Sequence, residues 1–394
     1  MDKVAAQVGL LSVLFAVSGT GAVLVVSAAA VTALGLTGST SLSTLPVALS
    51  LLGGMIATVP ISHLMARRGR RIGFALATGI AMVGAFLNVL AITRGAFVLF
   101  CVGSGLIGVQ TGVGALYRFA AVEVSPPHRH GRAIGTVLAG GVVAGIAGPL
   151  VAQAAKDFTP HAFAGAYVAL ALLQSVILLL LPWLDVPVPS KVAKGTGRPL
   201  RVIAKDPRFA GAVLAGLAAY AAMVLTMVAA PLSLRAQGEP FSAIALVIQA
   251  HVVAMYLPSF GSGPLIQRIG PPRGMMLGMV GLVGCGVVNL LGDSVLLHVV
   301  ALVLLGVGWN LLYVAGTQLL TTVYTPAEKA TVQGLNDVLL SAASTVAAFS
   351  SGAVHHVHGW AGLNRDVLVG LAIAGLGLLV LLRARHTRPV AAAG

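Results

Sequence analysis

The sequence predicts an all-α membrane protein: twelve transmembrane helices in two parallel six-helix halves. Three observations predict it. The 394-residue chain is 58% apolar and only 9% charged, against about 25% charged in soluble domains. Twelve apolar segments each reach the roughly 20 residues a spanning helix needs. The basic residues gather on one side of those segments.

The segments are 6–34, 44–66, 71–93, 95–121, 131–155, 162–186, 208–236, 241–268, 273–292, 294–323, 328–353 and 361–385. Short polar or Pro/Gly breaks separate them. The first begins just after Lys3, with no clear cleavage site, so it is expected to span the membrane and not to be a signal peptide. The longer connection, 187–207, is basic and contains Pro and Gly. It divides the chain into halves 1–186 and 208–394.

Nineteen of the 24 lysines and arginines lie in the loops after even-numbered segments or at the termini. Four lie on the other side: Arg94, Lys156, Arg235 and Arg365. Arg118 falls near the inner end of the fourth segment and belongs to neither set. Positive loops stay in the cytoplasm, so both termini are expected there. The net charge of +14 therefore reports orientation and not nucleic-acid binding. Cys101 and Cys285 sit in apolar runs and imply no disulfide framework.

The loop SHLMARRGRR, 62–71, has a counterpart in GPLIQRIGPP, 263–272. Leu, Arg and Gly recur at matching places, 201 residues apart. Here the sequence resembles the major facilitator superfamily, whose loop motif is G-x-L-x-D-R-x-G-R-R. Leu64, Arg67, Gly69, Arg70 and Arg71 match, while Ser62 and Ala66 replace the first Gly and the Asp. The resemblance implies a gating loop at Arg67, Gly69, Arg70 and Arg71. The run GGVVAGIAGPL resembles the family's fifth-helix glycine motif through Gly141, Gly145, Gly148 and Pro149. Small residues at that spacing let helices approach closely.

Two methionines, Met223 and Met227, lie mid-span in the seventh segment. His251 and Met255 lie mid-span in the eighth. Residues four apart share a helix face. In antiparallel neighbours, residues of equal depth have numbers of constant sum, which pairs Met227 with His251 and Met223 with Met255. Neutral thioether and imidazole ligands suit Cu(I), and a histidine at bilayer depth is costly enough to mark a functional site. The pattern resembles the CcoA-like copper importers, a bacterial branch associated with copper supply to cbb-type cytochrome oxidase. That resemblance implies copper, as Cu(I), for the transported ion, with no permanent cofactor. It implies a monomer in the bacterial cytoplasmic membrane.

Secondary candidates are Met55, mid-span in the second segment, and His355, His356 and His358 on the expected outer side. His63 and Met65 lie at the inner end of the second segment. Among ten carboxylates only Asp337 looks well inside a span. It is a candidate for proton coupling or for a structural cap. A different reading remains open: a permease or exporter of a small organic solute or drug. Such a site should hold aromatics and a few charged or amide groups. The seventh and eighth segments offer little of this, Tyr220, Gln249 and Tyr256, while the tenth offers Trp309, Asn310, Tyr313 and Gln318. A copper sensor is a third class, for which the chain holds no relay domain of useful size.

Overall fold

Within a bilayer no water satisfies backbone N–H and C=O groups, so each segment must close its own hydrogen bonds as a helix. The structure, a computed structural model, describes residues 3–126, 129–187, 197–325 and 328–384. Among them every regular element is helical. The spans are α1 Lys3–Thr37, α2 Leu45–Arg68, α3 Arg70–Arg94 and α4, which runs Phe97–Gly114 and then Tyr117–Glu123. Next come α5 His130–Ala155 and α6 Ala164–Leu180, with a 3-10 turn to Trp183. A single helical turn, Leu200–Ile203, leads to α7 Pro207–Ala236. α8 runs Phe241–Tyr256 and Ser259–Ile269; α9 is Pro271–Leu290 and α10 Val295–Thr321.

The remaining helix, Lys329–Ala384, is kinked at Gly359, whose φ of 66° and ψ of −174° are not helical. Its apolar stretch of 52 residues would reach about 78 Å at ~1.5 Å per residue, more than twice the ~30 Å hydrocarbon core. It therefore makes two spans, α11 (329–358) and α12 (360–384). The two pieces of α8 meet at 45° and make one. With these two adjustments the twelve expected segments are all present as helices. Lys191, Lys194, Arg385 and Arg388, part of the charge bias, lie outside the described residues.

Two spans are broken. α8 bends at Leu257–Pro258, where proline supplies no N–H to the helix ladder. α4 breaks at Ala115–Leu116 without a proline. The internal repeat is visible in the backbone. Gly69 joins α2 to α3 at φ 93°, ψ 157°, and Gly270 joins α8 to α9 at φ 85°, ψ 151°. Both angles lie where a Cβ is strained, which is why glycine stands at this place in both copies of the loop.

Small residues bring the helices together. α2 and α4 cross at Gly108, where a Cβ would lie 1.8 Å from the Ser50 carbonyl oxygen. The α5 glycines face two ways. Gly141 and Gly145 receive Tyr256 and Val252 of α8, and Gly148 receives Val23 of α1.

The basic end carries two ion-pair clusters. Arg70 donates to both Glu123 oxygens, at 3.0 and 2.5 Å. Glu123, at the end of α4, thus partners the loop that lacks its own acid at Ala66. Arg67 and Arg71 are exposed. In the second cluster Arg198 of the connection donates to Glu328 through Nε and Nη2, at 2.8 and 2.9 Å, and through its backbone N–H, at 2.8 Å. Thr325 N–H adds a fourth bond, at 2.9 Å. The Glu328 side chain is 3% exposed.

The Arg198 guanidinium, with these backbone donors, holds the Glu328 carboxyl well below the usual range. A depressed folded-state value stabilises the fold above the carboxyl's ordinary value and is lost only as pH falls through the depressed one. Across pH 5–8 the contribution is therefore complete. Glu328→Gln should lower the melting temperature in detergent by a few degrees at pH 7. The gap to the wild type should narrow below about pH 4, near the unfolded glutamate value. An unchanged melting temperature at pH 7 would show that the Arg198–Glu328 pair does not stabilise the fold.

Candidate functional site

A central cavity lies among the spans, nearer the basic end. It has two lobes, of about 340 and 400 Å³, within the size range of small-molecule sites. Thr111, Ala115, Arg118, Tyr220 and Tyr313 line both. Both helix breaks border it, through Ala115 and Leu116 of α4 and Ser259 of α8. Discontinuous helices at a midplane site are a recurrent device of transporters.

One wall is aromatic. Trp309 and Tyr313 of α10 are stacked, with ring centroids 5.1 Å apart and planes at 14°. Their spacing of four places them on one face. Tyr220 of α7 meets them edge-on, at 5.3 and 5.6 Å. Tyr256 of α8 and Phe15 of α1 meet edge-on at 6.4 Å in the second lobe. Two charged side chains border the cavity: Arg118 of α4 and Asp337 of α11. The guanidinium carbon sits 4.9 Å from the Phe119 ring centroid, a cation–π contact.

The end away from the basic loops is closed. Gly352 N–H donates to Thr44 Oγ1 at 3.1 Å, and His356 Nδ1 bonds Thr40 Oγ1 at 2.7 Å. Phe163 and Phe241 rings meet edge-on at 5.0 Å. These contacts join α1–α6 to α7–α12.

The four Met/His residues lie elsewhere. Met223, His251 and Met255 are buried and Met227 is half-buried, and none of the four lines the cavity. The expected seven–eight hairpin is a minor contact: α8 packs chiefly on α10 and α5. His251 turns to α10, where its Nδ1–H donates to the Leu302 carbonyl at 2.8 Å, leaving Nε2 without a hydrogen-bond partner. The constant-sum pairing with Met227 assumed that α7 and α8 lie side by side, whereas α8 lies chiefly against α10 and α5.

The three outer histidines do not converge. His356 bonds Thr40, His358 bonds Asp366 at 2.5 Å, and His355 Nδ1 is unpaired. Among the described residues no three His, Cys, Asp or Glu side chains are grouped as metal ligands. Met65 is buried and fills the space beside Gly73, while His63 bonds its own helix at Val59. Met55 does face the cavity, as does Asp337, which accepts a hydrogen bond from Asn336 Nδ2 at 3.3 Å. Sequence reasoning missed Arg118 as a site residue. Its signal was available, as a basic residue inside a span and on neither side of the charge count.

The matching family profile is the Major Facilitator Superfamily, over residues 9–257 and 212–394. The chain belongs to this superfamily of membrane transporters, and it is not an enzyme. It is 36% identical over 350 residues to the riboflavin transporter RfnT of Brucella anthropi, covering 87% of each chain. It is 27% identical over 361 residues to YdeG of Bacillus subtilis, an uncharacterized transporter of the same type, covering 85% of this chain and 82% of the relative. A solved bacterial homologue of the human lysosomal transporter Spinster superposes with a TM-score of 0.78 over 100% of both chains, at 14% identity. The copper-importer branch finds no support here: the named relative carries riboflavin in its name and not a metal.

Proposed function

We propose that the protein is a permease for a small, planar, uncharged aromatic solute, with riboflavin as the first substrate to test. The stacked Trp309–Tyr313 wall in the central cavity carries this reading, because offset stacking favours flat rings over aliphatic or ionic cargo. The likeness to a riboflavin transporter supports it. So does the charge of the lining. Arg118 and Asp337 are opposite charges, so among the described residues the cavity lining carries no net positive charge to favour a phosphate.

In this reading halves 1–186 and 208–394 rock about the cavity, joined by 187–207. The Thr44–Gly352 closure opens in one state and forms in the other. The basic loops support a bacterial cytoplasmic membrane with both termini inside.

A riboflavin-auxotrophic bacterium expressing the protein should grow on low external riboflavin and accumulate labelled riboflavin. Flavin mononucleotide, with its phosphate dianion, should compete at least ten-fold less well. No uptake by a well-expressed protein would sink the proposal.

A second reading, copper import through Met223, Met227, His251 and Met255, is favoured by one observation. His251 is fixed through Nδ1, which leaves Nε2 with a free lone pair, as in metal-bound histidines. Copper accumulation that His251→Ala abolishes, with riboflavin uptake absent, would select this reading over the first.

A further inference from the structure

Buried polar atoms are nearly always paired, so unpaired ones need an explanation. Four of them belong to residues lining a single lobe of the cavity: Arg118 Nε, Trp309 Nε1, Ser262 Oγ and Asn310 Oδ1, each covered by its neighbours in this state, so that a solute meets them only as the lobe shifts around it. They come from α4, α10 and α8, and so from both sets of six spans. Two are obligate donors, one is a hydroxyl, and one is a carbonyl acceptor.

The Asn310 carbonyl is free for a structural reason. Its Nδ2 already donates to the Met255 carbonyl at 2.8 Å and to Ser259 Oγ at 2.7 Å. Those bonds use both amide hydrogens and fix which side of the amide is oxygen. They also attach Asn310 to the break in α8. The acceptor is therefore preset before any solute arrives, and so is the indole N–H of Trp309, whose ring is held by Tyr313 and Tyr220.

We infer that this lobe reads a mixed hydrogen-bonding edge of a heteroaromatic ring, in which carbonyl or ring-nitrogen acceptors flank one N–H donor. Arg118, Trp309 and Ser262 supply donors to the acceptors, and Asn310 accepts the N–H. The edge of a pyrimidinedione, such as the one in an isoalloxazine, has this pattern. A purely hydrocarbon ring or a carboxylate does not, since neither offers a donor to Asn310. The inference rests on the reading that the cavity carries a planar aromatic solute, and it names the feature by which that solute is selected. Leaving the four atoms unpaired in the loaded state is costly, so a solute lacking the edge should be rejected strongly.

The test compares riboflavin with N3-methylriboflavin, which keeps the rings and the acceptors but has no N–H to give Asn310. Purified protein in proteoliposomes is assayed for uptake of each flavin. The wild type should prefer riboflavin by at least ten-fold. Asn310→Ala should handle the two flavins within about two-fold of each other, because the methyl group then removes nothing the site uses. Trp309→Phe, which keeps an aromatic ring but no N–H, should weaken both flavins and keep the preference. Wild-type uptake of the two flavins at equal rates overturns the edge inference and leaves the permease reading standing, whatever the variants do. Uptake of neither flavin overturns both.

Discussion

Arg118→Gln should abolish measurable solute uptake while the protein still reaches the membrane. Arg118 borders both lobes, and Asp337 of α11 lines the first of them with it. A charge-assisted hydrogen bond to a solute acceptor is worth about 1.5–3 kcal/mol, which is roughly a ten- to hundred-fold loss of affinity. The planar fork sets direction as well as charge, so Arg118→Lys should recover only part of the uptake. Removing the cation also leaves Asp337 uncompensated at membrane depth, an independent penalty. The double change Arg118→Gln with Asp337→Asn removes that penalty without restoring the fork. It should recover the thermal stability lost in Arg118→Gln and stay inactive. Uptake in the double variant close to wild type would show that Arg118 serves only to balance Asp337.

The architecture was legible because lipid imposes few rules and enforces them strictly. Apolar length, loop charge and the spaced glycines each have one physical cause, and all twelve expected segments are helical. Gly69 and Gly270 show how far this reaches: a repeat found by residue identity alone returns in their matching backbone angles. The site was less legible because neighbours in sequence are not neighbours in space. α8 follows α7, yet it packs chiefly on α5 and α10, so a registry drawn between α7 and α8 rested on a minor contact, and His251 bonds α10. His251 drew attention through its cost, and the helix repays part of that cost through the Leu302 carbonyl. Arg118 carried an equal cost and was passed over, because one basic residue in a span does not reveal which way it points. The break in α4 left no sequence mark at all.

The second large effect is expected at the closed end, from Gly352→Val. A Cβ on Gly352 would lie 2.6 Å from Thr44 Oγ1, 2.9 Å from the Thr40 carbonyl oxygen and 3.1 Å from the Ser41 carbonyl oxygen. All three belong to the turn between α1 and α2, across the closure. Two are backbone atoms, which cannot step aside as a side chain could. A valine there must push the two sides apart, and it also breaks the Gly352 N–H to Thr44 bond. The strain falls at a junction that alternating access already requires to separate, so the fold should survive and the conformational balance should shift. Transport should fail because the cavity can no longer be sealed from that side. The shift can be read without transport. With Cys101 and Cys285 replaced by alanine, Leu51→Cys places one thiol on the cavity wall. A membrane-impermeant maleimide added at the closed end should label it at least ten-fold faster in Gly352→Val than in the parent. Thr44→Val removes the acceptor without adding bulk at Gly352 and should give a smaller increase in the same direction. Equal labelling in all three proteins would mean that the contact at Gly352 does not hold this end shut.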